Sequence, residues 1–106
     1  MDTPLETLNA RIFAGQLHTR FKTQVDTNAL ELELAEVEER DGSPVELFFL
    51  RFRGPRTPRL AQQIYRLEHE KLGTLSIFLT AVSADQSGIY YESVFNRMRQ
   101  KDLVSG

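Results

Sequence analysis

Residues 29–52 read ALELELAEVEERDGSPVELFFLRF, and this stretch decides the fold. Leu30, Leu32 and Leu34 alternate with glutamates, which is the period of two expected of a strand with one buried face. The apolar phase then moves by one residue, so that Val37 follows in the opposite register. A β-bulge near Leu34 would return the apolar side chains to the buried face, and we predict one there.

The centre of this stretch carries the strongest turn signal in the chain, Asp41-Gly42. This dipeptide readily accepts the positive φ angles of a two-residue type I′ turn. We therefore predict a hairpin that turns at Asp41 and Gly42 and places Glu39 opposite Pro44. A non-hydrogen-bonded pair at that position tolerates the missing N–H of proline.

The returning strand of the hairpin, residues 45–53, is apolar on both faces. The faces carry Phe48, Leu50 and Phe52 on one side and Val45, Leu47 and Phe49 on the other. A strand of this kind is covered twice. The core covers one face, and we expect an N-terminal helix to cover the Phe49 face, unless another protein chain does so.

Toward the N-terminus, the pattern predicts a short amphipathic helix that ends near Gly15. Thr3 and Glu6 have the spacing of a capping box, and Thr7 is the alternative N-cap. The apolar residues at helical spacing are Leu5, Leu8 and Ile12. Between this helix and the hairpin, residues 17–25 alternate with a period of two and predict a half-buried strand.

Three further strands are predicted after the hairpin, at residues 64–68, 74–82 and 89–95. The loops between them are short, which favours antiparallel neighbours. We therefore predict an all-β fold, a small barrel or tight sandwich of about six antiparallel strands with one short N-terminal helix. Residues 1–96 form a single domain, and residues 97–106 are predicted to be a flexible polar tail.

Composition places the chain among compact globular domains. Its 106 residues are 41% hydrophobic and 26% charged, which fits one ordinary domain. The longest apolar run, residues 47–50, is far shorter than the roughly 20 residues of a membrane span. An acid at Asp2 stands where a signal peptide needs basic residues, so we expect a cytoplasmic protein without membrane contact. The absence of cysteine excludes disulfides, thiolate catalysis and zinc–thiolate sites.

Residues with catalytic or metal-binding chemistry are few. His18 and His69 lack the spacing of a metal-ligand motif, and no serine has the context of an activated nucleophile. Glycine-rich phosphate loops are missing as well. We therefore predict no catalytic residue, no metal and no cofactor. By alternation His69 shares a face with Leu67, so we expect it to be a hydrogen-bonded residue at one end of the core.

Charge is unevenly distributed along the chain. Residues 26–46 hold eight acids and one base, a net charge of −7, whereas residues 51–71 hold six bases and two acids, a net charge of +4. Cross-strand pairing of Glu31 and Glu33 with arginines of the neighbouring strand is the simpler interpretation. The alternative is two opposed charged faces that meet between copies or partners. The candidate interaction surface consists of Arg53, Arg56, Arg59 and Tyr90.

Nucleic acid is not expected as a partner. The net charge is −2, and acids interrupt the basic region at Glu68 and Glu70. Salt-sensitive binding of a protein partner, or weak homo-oligomerisation, is the expectation that the charge pattern favours.

Three short motifs carry a resemblance to a known family. They are FRGP at residues 52–55, YRLEH at residues 65–69 and VFN at residues 94–96. With these motifs, residues 7–97 resemble a family of small bacterial proteins of unknown function. The resemblance implies a bacterial origin and an association with phage-tail collar-like fibre proteins. It transfers no catalytic or binding residue to this chain.

The favoured function from the sequence is a non-catalytic interaction or assembly module, accessory to a tail-like or fibre-like structure. The alternative is a small-ligand-binding β-barrel, which requires an internal cavity. Ten aromatic residues in so short a chain favour a filled interior instead. A hydrolase or metal-dependent enzyme ranks third.

Overall fold

The structure, a computed structural model, describes residues 2–42 and 45–98. It contains a 3-10 turn at Leu5–Thr7, a short helix α1 at Ala10–Ala14 and six strands. The strands are β1 Arg20–Val25, β2 Asn28–Gly42, β3 Val45–Gly54, β4 Gln63–His69, β5 Gly73–Asp85 and β6 Gly88–Met98. The predicted all-β fold with one short helix is confirmed.

All six strands belong to one curled sheet in the order β1-β2-β3-β6-β5-β4. Each neighbouring pair is antiparallel. The sheet returns to its beginning where β4 meets β1, and that contact consists of the single pair Lys22 and Glu68. The architecture is therefore a barrel-like sheet with a narrow seam.

The predicted β-bulge lies in β2, as expected. Leu34 pairs with Phe52 and Glu36 pairs with Arg51, so Ala35 is an extra residue opposite no partner in the ladder. The bulge keeps the apolar side chains of β2 directed inward on both sides of the irregularity.

The position of the predicted turn at Asp41-Gly42 is wrong. Strand β2 continues through Gly42, which pairs with Val45, and Glu39 pairs with Phe48 rather than with Pro44. Residues 43 and 44 connect the strands and lie outside the described residues. Asp41 and Gly42 are paired in the ladder instead of forming the turn. The added backbone pairing of the longer hairpin outweighs the local turn preference of Asp-Gly.

The core fills the interior of the barrel with large side chains. The large, fully buried residues on the strands are Phe21, Leu32, Leu34, Phe48, Leu50, Phe52, Leu67, Leu75, Ile77, Leu79 and Tyr91. They come from all six strands, and their alternation with outward residues follows the strand period. Within each strand, a residue between two of these core positions therefore points outward.

The helix closes one end of this core instead of covering the outside of β3. Phe13 is fully buried, and its ring lies 6.1 Å from that of Phe48 and 5.8 Å from that of Phe95. The expectation that the helix covers Val45, Leu47 and Phe49 is therefore wrong, because Phe48 lies on the opposite face of β3. No helix in the described part of the chain is long and apolar enough to cross a membrane.

The start of the helix also differs from the prediction. Asn9 is its N-cap, and the side chain of Asn9 accepts a hydrogen bond of 2.9 Å from the backbone N–H of Ile12. Neither Thr3 nor Thr7 caps it. Ile12 is 36% exposed, so the inward face of the helix is formed by Ala10 and Phe13.

The last strand extends two residues beyond the predicted domain boundary. Arg97, placed in the polar tail by the sequence pattern, lies in β6 and pairs with Glu46 in the ladder. Its guanidinium forms a 3.0 Å ion pair with that carboxylate and lies over the rings of Phe48 and Phe95. Residues 99–106, the remainder of the predicted tail, lie outside the described residues.

Candidate interaction surface

Four apolar side chains form a stripe across the outside of the sheet. The apolar stripe consists of Phe49 on β3, Val94 on β6, Phe78 on β5 and Ile64 on β4. Phe49 pairs with Val94, and Ile64 pairs with Phe78. Val94 is 53% exposed, Phe78 46% and Ile64 64%. Large apolar side chains on three successive strands are therefore exposed to water, and the half-buried Phe49 continues the stripe on β3.

The outward position of these residues follows from the strand period. In β5, Ile77 and Leu79 are buried, so the intervening Phe78 must point outward. The same alternation in β6, between the buried Ser93 and Phe95, turns Val94 outward. Each member of the stripe is thus an apolar residue at a position where a half-buried strand normally carries a polar one.

A groove separates β5 from β6 in the middle of the stripe. The ladder between the two strands runs from Asp85 and Gly88 to Thr80 and Glu92, where it ends. Past this point the strands diverge around an open volume of about 420 Å³. Its lining includes Ile64, Phe78 and Val94 together with Leu5, Glu6 and Arg97.

The N-terminal segment bridges the two strands at one end of this groove. Arg97 on β6 donates hydrogen bonds to the carbonyl of Leu5, at 2.9 Å, and to that of Leu8. On the other side, the N–H of Thr3 donates to the carbonyl of Thr74 on β5 at 2.8 Å. The segment is therefore anchored to both strands.

A charged pair borders the stripe at its β2 end. The guanidinium of Arg40 lies 5.4 Å from the centre of the Phe49 ring, and its Nε is 3.2 Å from a carboxylate oxygen of Glu38. Phe49 is half-buried beside this cation–π contact, and the more exposed part of the stripe lies on β4, β5 and β6.

Two of the predicted surface residues, Arg53 and Tyr90, are neighbours in the β3–β6 ladder. Arg53 forms an ion pair with Glu33, which also contacts Nδ1 of His18 at 3.1 Å. The hydrogen bond from His18, followed by the charge of Arg53, lowers the pKa of Glu33, and the charge of Glu33 raises the pKa of Arg53. The hydroxyl of Tyr90 donates to Asp85 at 3.1 Å. Both residues are thus engaged within the domain.

The other two predicted residues, Arg56 and Arg59, lie on the exposed loop between β3 and β4. Arg59 lines a hollow of about 280 Å³ beside Val82, at the bulge of β5. The end of the loop is anchored to the core, because Leu60 is buried and its backbone N–H donates a hydrogen bond of 2.9 Å to the hydroxyl of Tyr91. Neither Arg56 nor Arg59 is among the described residues that line the groove of the apolar stripe.

The charges of β2 and β3 interleave on one outer face. Besides the pair of Glu33 and Arg53, Arg51 lies 3.4 Å from Glu36 and 3.2 Å from Glu92. The predicted cross-strand pairing is confirmed for Glu33, whereas Glu31 lies opposite Lys22 in the ladder and forms no ion pair with an arginine in the described part of the chain. The alternative of two opposed charged faces does not describe β2 and β3, since register places their acids and arginines side by side.

The two histidines occupy separate hydrogen-bond networks. His69 is buried, and its Nδ1 accepts hydrogen bonds from the N–H groups of Lys71 and Leu72 at 3.0 and 3.1 Å. Its Nε2 is then the protonated nitrogen and donates to the hydroxyl of Thr19 at 2.8 Å. Burial lowers the pKa of His69. The prediction of a hydrogen-bonded histidine at the end of the core is confirmed.

The described surface lacks a metal site and carries a second cleft of mixed polarity. Across residues 2–42 and 45–98, no three His, Cys, Asp or Glu side chains cluster as a metal site. A shallow cleft of about 640 Å³ follows the narrow seam between β1 and β4. Its rim mixes Lys22, Asp26, Arg66 and Glu68, so it has no dominant charge or chemical character.

The stripe was missed by the reasoning from sequence, although a signal was present. Ile64, Phe78 and Val94 are each out of phase with the core residues of their strands, and that phase is visible in the sequence. Their proximity depends on the strand order β3-β6-β5-β4, which local patterns do not reveal.

The fold and this surface define a small all-β domain with a filled core and an exposed apolar stripe. Residues 8–95 match the family described as "Domain of unknown function (DUF6916)", and the chain belongs to this family. The predicted membership in a family of unknown function is thereby confirmed. No curated protein and no solved structure matches the chain.

Proposed function

We propose that this domain is a non-catalytic protein-interaction module and that the apolar stripe is its contact surface. The observation that carries the proposal is the exposure of Ile64, Phe78 and Val94 on adjacent strands of one sheet. Contiguous apolar patches on soluble domains are a mark of interaction sites. Isolated exposed apolar residues are ordinary, but neighbours across three strands form one surface.

The packing of the interior supports this role over the ligand-binding alternative. Aromatic and aliphatic side chains fill the barrel, including the fully buried Phe21, Phe52 and Tyr91. The rings of Phe21 and Phe52 meet edge to face at 5.2 Å. A barrel of this size uses its interior for its own side chains, which leaves the outside for recognition.

Assembly in a tail-like or fibre-like structure is the finer form of the proposal. Its support is the resemblance of the FRGP, YRLEH and VFN motifs to small bacterial proteins with that association. The partner in this setting is a protein surface with exposed apolar groups, because such groups complement the stripe.

Site-specific photo-cross-linking tests the proposal. A photoreactive phenylalanine analogue replaces Phe78 in the full chain, and a matched protein carries it at Val82, which is also exposed and also on β5. Irradiation in the native cell is expected to give a discrete protein adduct from position 78 and none from position 82. Val94→Asp in the first protein should abolish the adduct without a change in melting temperature. Equal adducts from both positions, or none from position 78, would contradict the proposal.

A further inference from the structure

We infer, on the basis of the proposed interaction role, that the partner contributes an extended segment that adds as a strand in the groove between β5 and β6. The segment is a stretch without acidic residues and with apolar side chains at alternate positions. Three independent observations support this assignment: the open strand edges, a pairing that the chain already makes on one of them, and the size of the groove.

The first observation concerns the strand edges that face the groove. Strand β5 pairs with β4 over residues 73–79, and β6 pairs with β3 over residues 89–98. The ladder between β5 and β6 covers none of residues 76–79 or 93–96. Among the residues described here, these two stretches therefore keep one edge each without a strand partner. Such edges are templates for main-chain hydrogen bonding to an added strand.

The second observation is that the N-terminal segment of the chain already pairs with the start of the β5 edge. Asp2 forms a parallel bridge with Thr74, and the N–H of Thr3 donates to the Thr74 carbonyl. Pro4 follows and has no N–H with which to continue the ladder. The edge of β5 thus accepts an extended backbone, and the positions beyond Thr74 continue the same edge.

The third observation is the size and character of the groove. An extended chain advances about 3.3 Å per residue, so four residues span the open stretch 76–79. A volume of about 420 Å³ suits a short segment of this length. A second folded copy would need roughly 800 Å² of contact from each partner, and a groove of this size does not offer it.

The lining of the groove specifies the side chains of the added segment. Phe78 and Val94 face outward on either side, so the residue between them is apolar. Of the charged lining residues, Arg97 is committed to Glu46 and to the N-terminal carbonyls. An acidic residue in the segment would therefore lose hydration without gaining a free positive partner.

A generic strand peptide tests the inference on the intact protein. The probe is an acetylated, amidated octapeptide in which threonine and valine alternate between two terminal lysines. Its matched control has the same sequence with N-methylated valines, which removes main-chain donors and retains the side chains. Amide hydrogen exchange is followed by NMR at residues 76–79 and 93–96, at peptide concentrations of several millimolar.

Strand addition is expected to slow amide exchange at the groove edges by about tenfold or more at saturation. The N-methylated peptide should bind at least about tenfold more weakly. Phe78→Ala should weaken binding, whereas Val82→Ala, at an exposed position of the same strand, should leave it unchanged. Absence of binding, equal binding of the N-methylated peptide, or protection elsewhere on the sheet would overturn the inference.

The outcomes separate this inference from the proposed function. If the adduct at position 78 forms while the edge amides stay unprotected, the stripe binds its partner through side chains and strand addition is wrong. If the adduct is absent as well, the interaction role itself fails.

Discussion

Replacing Phe13 by alanine tests whether one aromatic side chain closes the end of the barrel. Phe13 is fully buried and contacts two other rings, so the substitution leaves a cavity that those rings cannot fill without leaving their own stack at 4.6 Å. Phenylalanine-to-alanine changes in a core cost about 3–5 kcal/mol. That is a large share of the roughly 5–15 kcal/mol by which a domain of this size is stabilised. We expect the melting temperature to fall by about 12 °C or more.

The matched control is Phe78→Ala, which makes the same chemical change at an exposed position. Its effect on the free energy of unfolding should stay within about 0.5 kcal/mol. Urea unfolding followed by far-UV circular dichroism measures both variants, with the slope against urea as the check on two-state behaviour. A loss below about 1 kcal/mol for Phe13→Ala, or equal losses for the two variants, would refute the view that Phe13 closes the core.

Three further predictions concern single polar groups. The lowered pKa of His69 means that the unfolded chain binds more protons, so the free energy of unfolding should fall as the pH drops below about 6.5 and level off below the folded-state pKa. Urea titrations at several pH values should show a weaker pH dependence for His69→Gln, and an unchanged dependence would disprove this role of His69. Tyr91→Phe leaves the buried N–H of Leu60 without its acceptor and should lower the free energy of unfolding by about 1–3 kcal/mol in thermal unfolding, whereas Tyr90→Phe should lower it little. Equal effects of the two variants would contradict the role of that hydrogen bond. Arg97→Lys loses the two hydrogen bonds from the guanidinium to the N-terminal carbonyls, so the free energy of unfolding should fall by about 2 kcal/mol and proteolysis of the N-terminal segment should become faster. A digestion pattern identical to that of the wild type would contradict this prediction.

Strand alternation explains why much of the fold could be predicted. The inward direction of Phe21 and Thr23, and the bulge after Leu34, follow from a period of two that is visible within a few residues. The turn and the helix depend on longer-range energetics. The β2–β3 ladder outweighs the local preference of Asp41-Gly42, and Phe13 rather than Ile12 is buried because the ring of Phe13 meets aromatic residues of distant strands.

The candidate site was harder to predict than the fold because it is assembled by topology. Phe78 and Val94 are 16 residues apart and become neighbours across a groove only through the order of the strands. The interaction surface predicted at Arg53 took no account of strand register, which places Glu33 directly opposite Arg53. A charge count along the chain does not contain that information.

The extra residue in β2 has a consequence for how the family can vary in length. Because Leu34 and Glu36 already face consecutive residues of β3, deletion of Ala35 would leave a regular ladder with every side chain on its present face. Deletion of a residue such as Val37 would instead move the inward side chains of the neighbouring stretch to the outer face of the sheet. Aligned relatives should therefore tolerate a one-residue gap at position 35 and show a less sharply coiled strand where it occurs.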